Sequence, residues 1–381
     1  MQKHYLLLQQ NMTNTTKKLR VAMAGGGTGG HVFPIRSLLK FLRNHPEYNE
    51  KVEKLYWFGA KNSLEQKICH NLQEHDPENK LSFIPIRSGK YRRESYRKSK
   101  LKNISDFFLF IFGCFQSIFQ LLYHHVDVIF CKGGYVALPT VFAAVLLCKK
   151  IIVHESDTKP GLVNKIASRF AKKVFTGFEG ALPNGQTIGQ ILSDDIITDV
   201  HLEPTSKTLI LVVGGSQGSK RLYQNLLHVL EFTPELQSGY EFFVVLGLVN
   251  HEMSTLFDKF DHVHIYGFLS QKEMGELYNK CDIAITRGGT TSLAEQKLYD
   301  MKQIIVPIPR THDQYDNAKW YVRSHNDIMI NQRDHDFESQ LANAIKYFKG
   351  FKKTFQQKDK KAIISEAKKI IRDALLNFFN S

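Results

Sequence analysis

The stretch LRVAMAGGGTGGHVFPIRSLLKFLR, residues 19–43, reads as a buried strand (Leu19–Ala24), a glycine-rich turn and a helix of apolar period (His31–Arg43). The same plan returns at TLILVVGGSQGSKRLYQNLLHVLE, residues 208–231: strand Thr208–Val213, turn Gly214–Gly218, helix Ser219–Glu231. A buried strand that runs through glycines into a helix opens a doubly wound α/β domain. Two such openings in one chain predict two of these domains in tandem.

On either side of these openings, short apolar runs alternate with helical patterns along most of the chain. Further strands are expected at Lys54–Phe58, Ser82–Ile86, Val126–Phe130, Ile151–Val153 and Lys173–Thr176. In the second half they are expected at Glu241–Leu246, Val263–Tyr266, Asp282–Thr286, Gln303–Pro307 and Asp327–Ile330. Gly161–Phe170 has helical period. This alternation indicates parallel sheets covered by helices on both faces. Ala181–Lys207, with two prolines, two glycines and no strong period, is the expected domain junction. The domains are therefore read as 19–190 and 191–350, after a flexible leader at 1–18. A basic C-terminal helix within 351–381 is expected to pack back across the first domain. Such a pair would face each other across a central cleft at the carboxyl ends of their strands, where open α/β sheets take ligands.

The length, 381 residues, suits two domains with a core each, and 43% apolar with 23% charged residues excludes a disordered or collagen-like chain. The five cysteines (69, 114, 131, 148, 281) have no paired spacing and mostly lie in apolar runs. That suits buried thiols in a reducing compartment and offers no metal-ligand signature. The N-terminus has only Tyr5–Leu8 as an apolar run, short for a signal peptide. The net charge of +14 calls for an anionic partner, and its distribution narrows the choice. Residues 1–190 hold 28 basic and 13 acidic side chains; residues 191–381 hold 23 and 24. All of the excess is in the first half, and no aromatic-basic module for nucleic acid accompanies it.

In the first turn, Gly25, Gly27 and Gly30 fit the dinucleotide spacing GxGxxG. A nicotinamide reading then requires a carboxylate at the end of the second strand, which instead ends Trp57-Phe58-Gly59-Ala60-Lys61. The turn is better suited to an anion held by backbone amides at a helix N-terminus. His31 follows directly, where an imidazole can take a proton from a hydroxyl nucleophile or merely cap the helix. The second turn suits a phosphate or sugar hydroxyls equally well. Other strand ends carry Lys132-Gly133-Gly134-Tyr135, His154-Glu155-Ser156, Gly267-Phe268-Leu269, Arg287–Ser292 and Arg310–Asn317. Glu295 is either a solvated helix residue or a carboxylate able to accept both hydroxyls of a ribose.

Together GGGTGGHVFP (25–34), KGGYVALP (132–139), HESDTKPGLVNK (154–165), VVGGSQGS (212–219) and RGGTTSLAEQ (287–296) carry a resemblance that no single glycine loop would. They resemble, in order and spacing, the MurG family of peptidoglycan UDP-N-acetylglucosamine:lipid-intermediate N-acetylglucosaminyltransferases. The resemblance implies a GT-B fold and an inverting transfer. Its donor would be UDP-N-acetylglucosamine, its acceptor a sugar 4-hydroxyl on undecaprenyl-pyrophosphoryl-muramoyl-pentapeptide. By matching position His31 would be the base. Thr28, Gly29 and Gly30, with Gly133, Gly134 and Tyr135, would face the acceptor. Ser216 and Gln217 would contact the donor, Phe268 and Leu269 border the uracil, and Glu295 hold the ribose. Arg287 and Thr290 would belong to the donor-binding set, and Gln314 and Asn317 would contact the transferred sugar. Another glycolipid transferase, a nucleotide-sugar epimerase or a UDP-sugar-binding protein without turnover would share the plan.

An inverting displacement needs a base on one face of the anomeric carbon and charge stabilisation for the nucleotide leaving from the other. The second turn's helix N-terminus and Arg287 would supply the latter. No metal or cofactor is required by the motifs, which are equally compatible with a divalent cation assisting turnover. Asp334-His335-Asp336 lies outside the motifs and reads as surface. The chain also departs from the family. Gly189-Gln190-Ile191-Leu192-Ser193 replaces a common Gly-Asn-Pro-Val-Arg, so a basic side chain expected near the donor phosphates is missing. Arg287 and Lys220 are the candidates to replace it. Asp157 and Asp313 stand where Asn and Gln are common.

Arg87–Lys102 carries eight basic residues and one acidic, and Asn103–Leu122, directly after it, contains six phenylalanines. As a helix, Phe107, Phe110, Ile111, Cys114, Ile118 and Leu121 form one apolar face, and Phe108, Phe112, Phe115 and Phe119 a second. A helix covering a sheet needs only one. The second face, with the basic loop, is expected either inside the domain or on an anionic bilayer, as in a peripheral protein at the cytoplasmic side of a membrane. Asp106, Gln116, Ser117 and Gln120 interrupt the segment as a transmembrane span.

Overall fold

In the computed structural model, the described residues are 18–89, 97–198, 205–309, 312–354 and 359–378. Residues 1–17 of the leader and 90–96 of the basic run lie outside them. The first part of the chain contains β1 (Leu19–Gly25), α1 (Gly29–Arg43), α2 (Pro46–Lys51), β2 (Val52–Gly59), α3 (Leu64–Glu74) and β3 (Leu81–Pro85). It continues with α4 (Arg97–Tyr123), β4 (Val128–Gly133), α5 (Leu138–Leu146), β5 (Lys150–Glu155), α6 (Leu162–Ala167), β6 (Lys173–Thr176) and β7 (Gln186–Thr187). Their sheet has the order β3-β2-β1-β4-β5-β6-β7.

The later part contains β8 (Thr208–Val213), α7 (Lys220–Phe232), β9 (Tyr240–Val245), β10 (Val263–Tyr266), α8 (Gln271–Lys280), β11 (Ile283–Thr286) and α9 (Thr290–Leu298). It ends with β12 (Lys302–Ile305), α10 (His312–His325), β13 (Ile328–Met329), α11 (Phe337–Tyr347) and α12 (Lys360–Asn377). The second sheet has the order β10-β9-β8-β11-β12-β13. Each glycine-rich turn therefore leaves a central strand, β1 or β8, beside the point where strand order reverses. That is where an open parallel sheet leaves room for a ligand.

The registers explain the continuous apolar strands. Val21, Ala22 and Met23 pair with Leu55, Tyr56 and Trp57 on one side and with Val128, Ile129 and Phe130 on the other. All of β8 is buried, between β9 and β11. Its alternate residues feed two core layers: Ile210 and Val212 pack with Leu222 and Leu226, whereas Leu211 and Val213 pack with Leu277 and Tyr278.

The chain forms two compact units, one of residues 1–154, 161–175 and 368–381, the other of 155–160 and 176–367. The division falls earlier than the expected junction at 190/191. Phe178 and Ala181 join a core with Leu293, Ile305, Ala318 and Tyr321. Gln190 donates to Ser156 O at 2.7 Å, inside the same unit. α12 is shared. Its Ile364 joins the second unit's core, and its Lys368 and Arg372 lie over the Phe41 ring of the first.

The phenylalanine-rich helix α4 buries Cys114, Ser117 and Leu121, and its backbone at Gly113 lies so close to Arg87 that an added Cβ would come 1.9 Å from the carbonyl. Phe108, Phe112, Phe115 and Phe119 are all exposed, 67% and 69% for Phe108 and Phe115. Phe107 and Ile111, assigned above to the inward face, are exposed as well. Both lie at the edge of the stripe that Cys114, Ser117 and Leu121 bury. Four of the cysteines are buried and Cys148 is exposed.

Candidate functional site

In the first unit the motif residues converge. After β1 the chain turns at Gly27, whose φ of +84° favours glycine. Thr28 is the N-cap of α1, yet its hydroxyl makes no cap bond and instead lies 2.9 Å from His31 Nδ1. Gly134 packs on this turn: a Cβ there would sit 2.4 Å from Gly26 O and 3.2 Å from His31 Nδ1. A Cβ on Gly27 would meet Tyr135 Cε1 at 2.8 Å. Residues 25–31 and 133–135 thus form one surface, and only glycine permits its closest contacts. Below it, Asn164 of α6 donates to Lys132 O and His154 O, each at 3.3 Å, tying three motifs together.

His31 is half-buried, and burial with the nearby Lys132 ammonium pushes its pKa down to about 3. The imidazole is therefore neutral at physiological pH, the form that can accept a proton. A residue the sequence reading missed lies under the same turn. Glu65 of α3 is fully buried, and its carboxylate accepts from Gly27 N at 3.3 Å and Ala60 N at 3.1 Å. The turn's amides therefore do not all face a ligand; Gly27 is held by protein. Nothing in the local pattern of a first-turn glutamate announces this pairing.

In the second unit the turn after β8 is open. Ser216 and Gln217 are exposed, and their carbonyls accept from Leu248 N at 3.1 Å and Asn250 Nδ2 at 3.0 Å. Tyr223 Oη bonds Gly214 N at 3.1 Å and donates to Val245 O at 2.7 Å, which fixes the turn to the neighbouring strand. Phe268 is half exposed on the loop after β10, and Leu269 precedes the capping box of Ser270 and Glu273 that starts α8.

Arg287 is buried. It donates to Val306 O at 2.8 Å and to Ser219 Oγ, and its Nε has no hydrogen-bond partner among the described residues. Burial lowers its pKa to about 10, so it stays cationic behind the turn, bracing Ser219. Lys220 is exposed, 3.6 Å from Glu252. Ser193, at the position of the family's junction arginine, caps the short turn Asp194–Ile196 by accepting from Asp195 N.

Glu295 is buried on α9 and accepts from Tyr278 Oη at 3.1 Å; burial raises its pKa to about 7. Asn317 is buried and fully engaged. Its Oδ1 accepts from Thr158 N (2.9 Å) and Oγ1 (3.0 Å), and its Nδ2 donates to Asp157 Oδ1 (2.9 Å) and Gly288 O (3.3 Å). Thr290 Oγ1 reaches the same Asp157 oxygen at 3.5 Å. Asn317 and Thr290 therefore shape the loop after β11, through the segment 155–160. Asp157, named above only as a departure, is the hub of that network. Gln314 is half-buried and accepts from Ile308 N at 3.1 Å.

Two family models match, the glycosyltransferase family 28 N-terminal domain over residues 21–176 and its C-terminal domain over 209–374. The UDP-N-acetylglucosamine--N-acetylmuramyl-(pentapeptide) pyrophosphoryl-undecaprenol N-acetylglucosamine transferase of Borrelia turicatae is 30% identical over 86% of this chain and 88% of its own length. The chain belongs to the MurG family of glycosyltransferase family 28. The identically described enzyme of Staphylococcus haemolyticus is 29% identical, covering 93% of this chain and 99% of that one. Among solved structures, Acinetobacter baumannii MurG aligns with a TM-score of 0.66 at 20% identity, over 94% of this chain and 99% of that one. The two-sheet Rossmann-like architecture is thus a GT-B fold.

Proposed function

We propose that the protein transfers N-acetylglucosamine, with inversion, from UDP-N-acetylglucosamine to the 4-hydroxyl of undecaprenyl-pyrophosphoryl-N-acetylmuramoyl-pentapeptide. The observation that carries this reading is the match to curated transferases along nearly the whole of both chains. His31 is the base. In the tautomer that donates its Nδ1 hydrogen to Thr28 Oγ1, 2.9 Å away, Nε2 is the atom that takes the acceptor's proton. Thr28, Gly29, Gly30, Gly133, Gly134 and Tyr135 face the acceptor.

On the donor side, Ser216 and Gln217 in the turn before α7 meet the diphosphate, where the helix N-terminus favours the charge that builds on leaving UDP. Arg287 adds a fixed cation behind the turn and holds it through Ser219. Phe268 and Leu269 border the uracil, and Glu295 takes the ribose hydroxyls. Gln314 meets the transferred sugar. Asn317 and Thr290 act on it indirectly, since their polar atoms hold the loop that begins at Arg287.

The protein docks peripherally on the cytoplasmic face of an anionic membrane through the exposed phenylalanines of α4. Ile104–Tyr123 is long and apolar enough to cross a membrane, but Cys114, Ser117 and Leu121 are committed to the domain interior. At about 1 kcal/mol per basic residue near the surface, a few lysines and one or two inserted rings suffice for reversible binding.

Purified protein is assayed with UDP-N-acetylglucosamine, with and without a short-chain lipid acceptor. Acceptor-dependent UDP release is the expected result. Release of the free 2-epimer would instead mark a nucleotide-sugar epimerase, and binding without turnover a UDP-sugar-binding protein.

A further inference from the structure

We propose that Tyr278 is a positioning residue for the donor nucleotide, its hydroxyl holding the Glu295 carboxylate in the orientation that takes the ribose diol of UDP-N-acetylglucosamine. The inference rests on the reading of Glu295 as the ribose contact. Tyr278 lies in the last turn of α8 and is 2% exposed; its Oη donates to Glu295 Oε2 at 3.1 Å. A carboxylate taken out of water needs hydrogen bonds to stay charged, and it has about four lone-pair sites to fill. The tyrosine fills one of them and so sets the plane of the group.

The tyrosine is itself held from two sides. Its carbonyl accepts from Lys353 Nζ at 2.6 Å, and the same ammonium bonds Asn279 O at 2.5 Å and Cys281 O at 2.8 Å, closing the C-terminus of α8. Its ring lies 6.0 Å from that of Tyr299, whose hydroxyl donates to Ile196 O at 2.6 Å and accepts from Thr198 N at 3.3 Å. α8 also rests on that turn through backbone, since a Cβ on Gly275 would lie 2.0 Å from Ile196 O. Packing alone would be met by phenylalanine at position 278. What the hydroxyl adds is the bond to Glu295.

The groups bearing on the pair are Tyr299 and Ser292 besides burial itself. Burial raises Glu295 and the tyrosine hydroxyl draws it back down, toward the ionised form that accepts from sugar hydroxyls. Donor binding therefore strengthens as pH rises through the Glu295 ionisation, and loss of the hydroxyl moves that rise to higher pH.

The test is calorimetric binding of UDP-N-acetylglucosamine to the full chain from about pH 5 to about pH 9. The diphosphate of this donor is esterified at both ends and has no ionisation of its own there. Tyr278→Phe is expected to weaken binding about tenfold at neutral pH and to move the inflection alkaline, raising KM with kcat changed less than about twofold. Incorporating 3-fluorotyrosine at 278, a stronger donor of nearly the same shape, is expected to move the inflection the other way. Glu295→Gln is expected to weaken binding and abolish the inflection. Inflections left in place by both tyrosine changes would overturn the proposal, even with weaker binding, because lost packing does not move an ionisation. Glu295→Gln with wild-type affinity at every pH would overturn the ribose reading beneath it.

Discussion

Asp157 and Asn317, 160 residues apart, share a hydrogen bond of 2.9 Å from Asn317 Nδ2 to Asp157 Oδ1. The other end of the same amide receives Thr158, so both side chains are locked in one arrangement beside the Gly288 carbonyl. Replacing Asn317 with Asp would set two carboxylates against each other. Asn317→Asp is expected to destabilise the protein by about 1–3 kcal/mol. Adding Asp157→Asn restores a donor to the pair and should recover at least half of the loss. Thermal unfolding of the two single variants and the double variant measures this, and a double variant no better than the sum of the singles would refute the pairing.

His31→Ala is expected to lower kcat by ~10²–10⁴ while donor binding, measured without acceptor, is unchanged. Equal losses in both would make the residue structural.

The low pKa of His31 also has a sign for stability. Its pKa is about 3 in the folded protein and near 6.5 unfolded, so between these values the unfolded chain binds more protons. Stability from this group is full above about pH 6.5 and falls as pH drops toward 3. His31→Asn should therefore flatten the acid side of the stability curve, as read by urea unfolding at several pH values. A curve as steep as wild type below pH 6 would show that other groups control it.

Glu295 has the opposite sign. Its pKa rises from 4.5 to about 7 on folding, so the folded protein holds the extra proton and stability is lost as pH rises through that window. Glu295→Gln is expected to stabilise the protein at pH 8 by up to about 3 kcal/mol, with little change at pH 5, while weakening donor binding. A Tm at pH 8 at or below that of wild type would contradict this.

The exposed face of α4 predicts membrane behaviour. Phe112→Ser with Phe115→Ser should reduce co-flotation with anionic liposomes severalfold and leave turnover of a short-chain, water-soluble acceptor intact. Unchanged flotation would remove this face as the docking surface. Both rings are exposed, 54% and 69%, so the pair should cost little stability.

The elements themselves were legible because their signals are local. All twelve expected strands are present, from β1 through β6 and β8 through β13, within a few residues of the expected ends. The two-residue β7 lies inside the stretch read as a linker and has too little pattern to be seen in advance. Apolar runs of strand length followed by glycine-to-helix turns set the two sheets without reference to distant residues.

The strand-turn-helix grammar, the two doubly wound sheets and the placement of the motif residues at strand ends were all readable from local sequence. Which polar groups meet depends on the folding of distant segments against one another. Glu65 lies under Gly27 from 38 residues away, and Tyr278 reaches Glu295 from the preceding helix. Arg287 turns inward to Ser219, which leaves its charge behind the donor turn rather than on its surface. The same holds for α4, where two apolar stripes were equally visible and only packing chose Cys114, Ser117 and Leu121. Periodicity and backbone conformation are written in neighbouring residues. A buried hydrogen bond depends on where the rest of the chain places its partner.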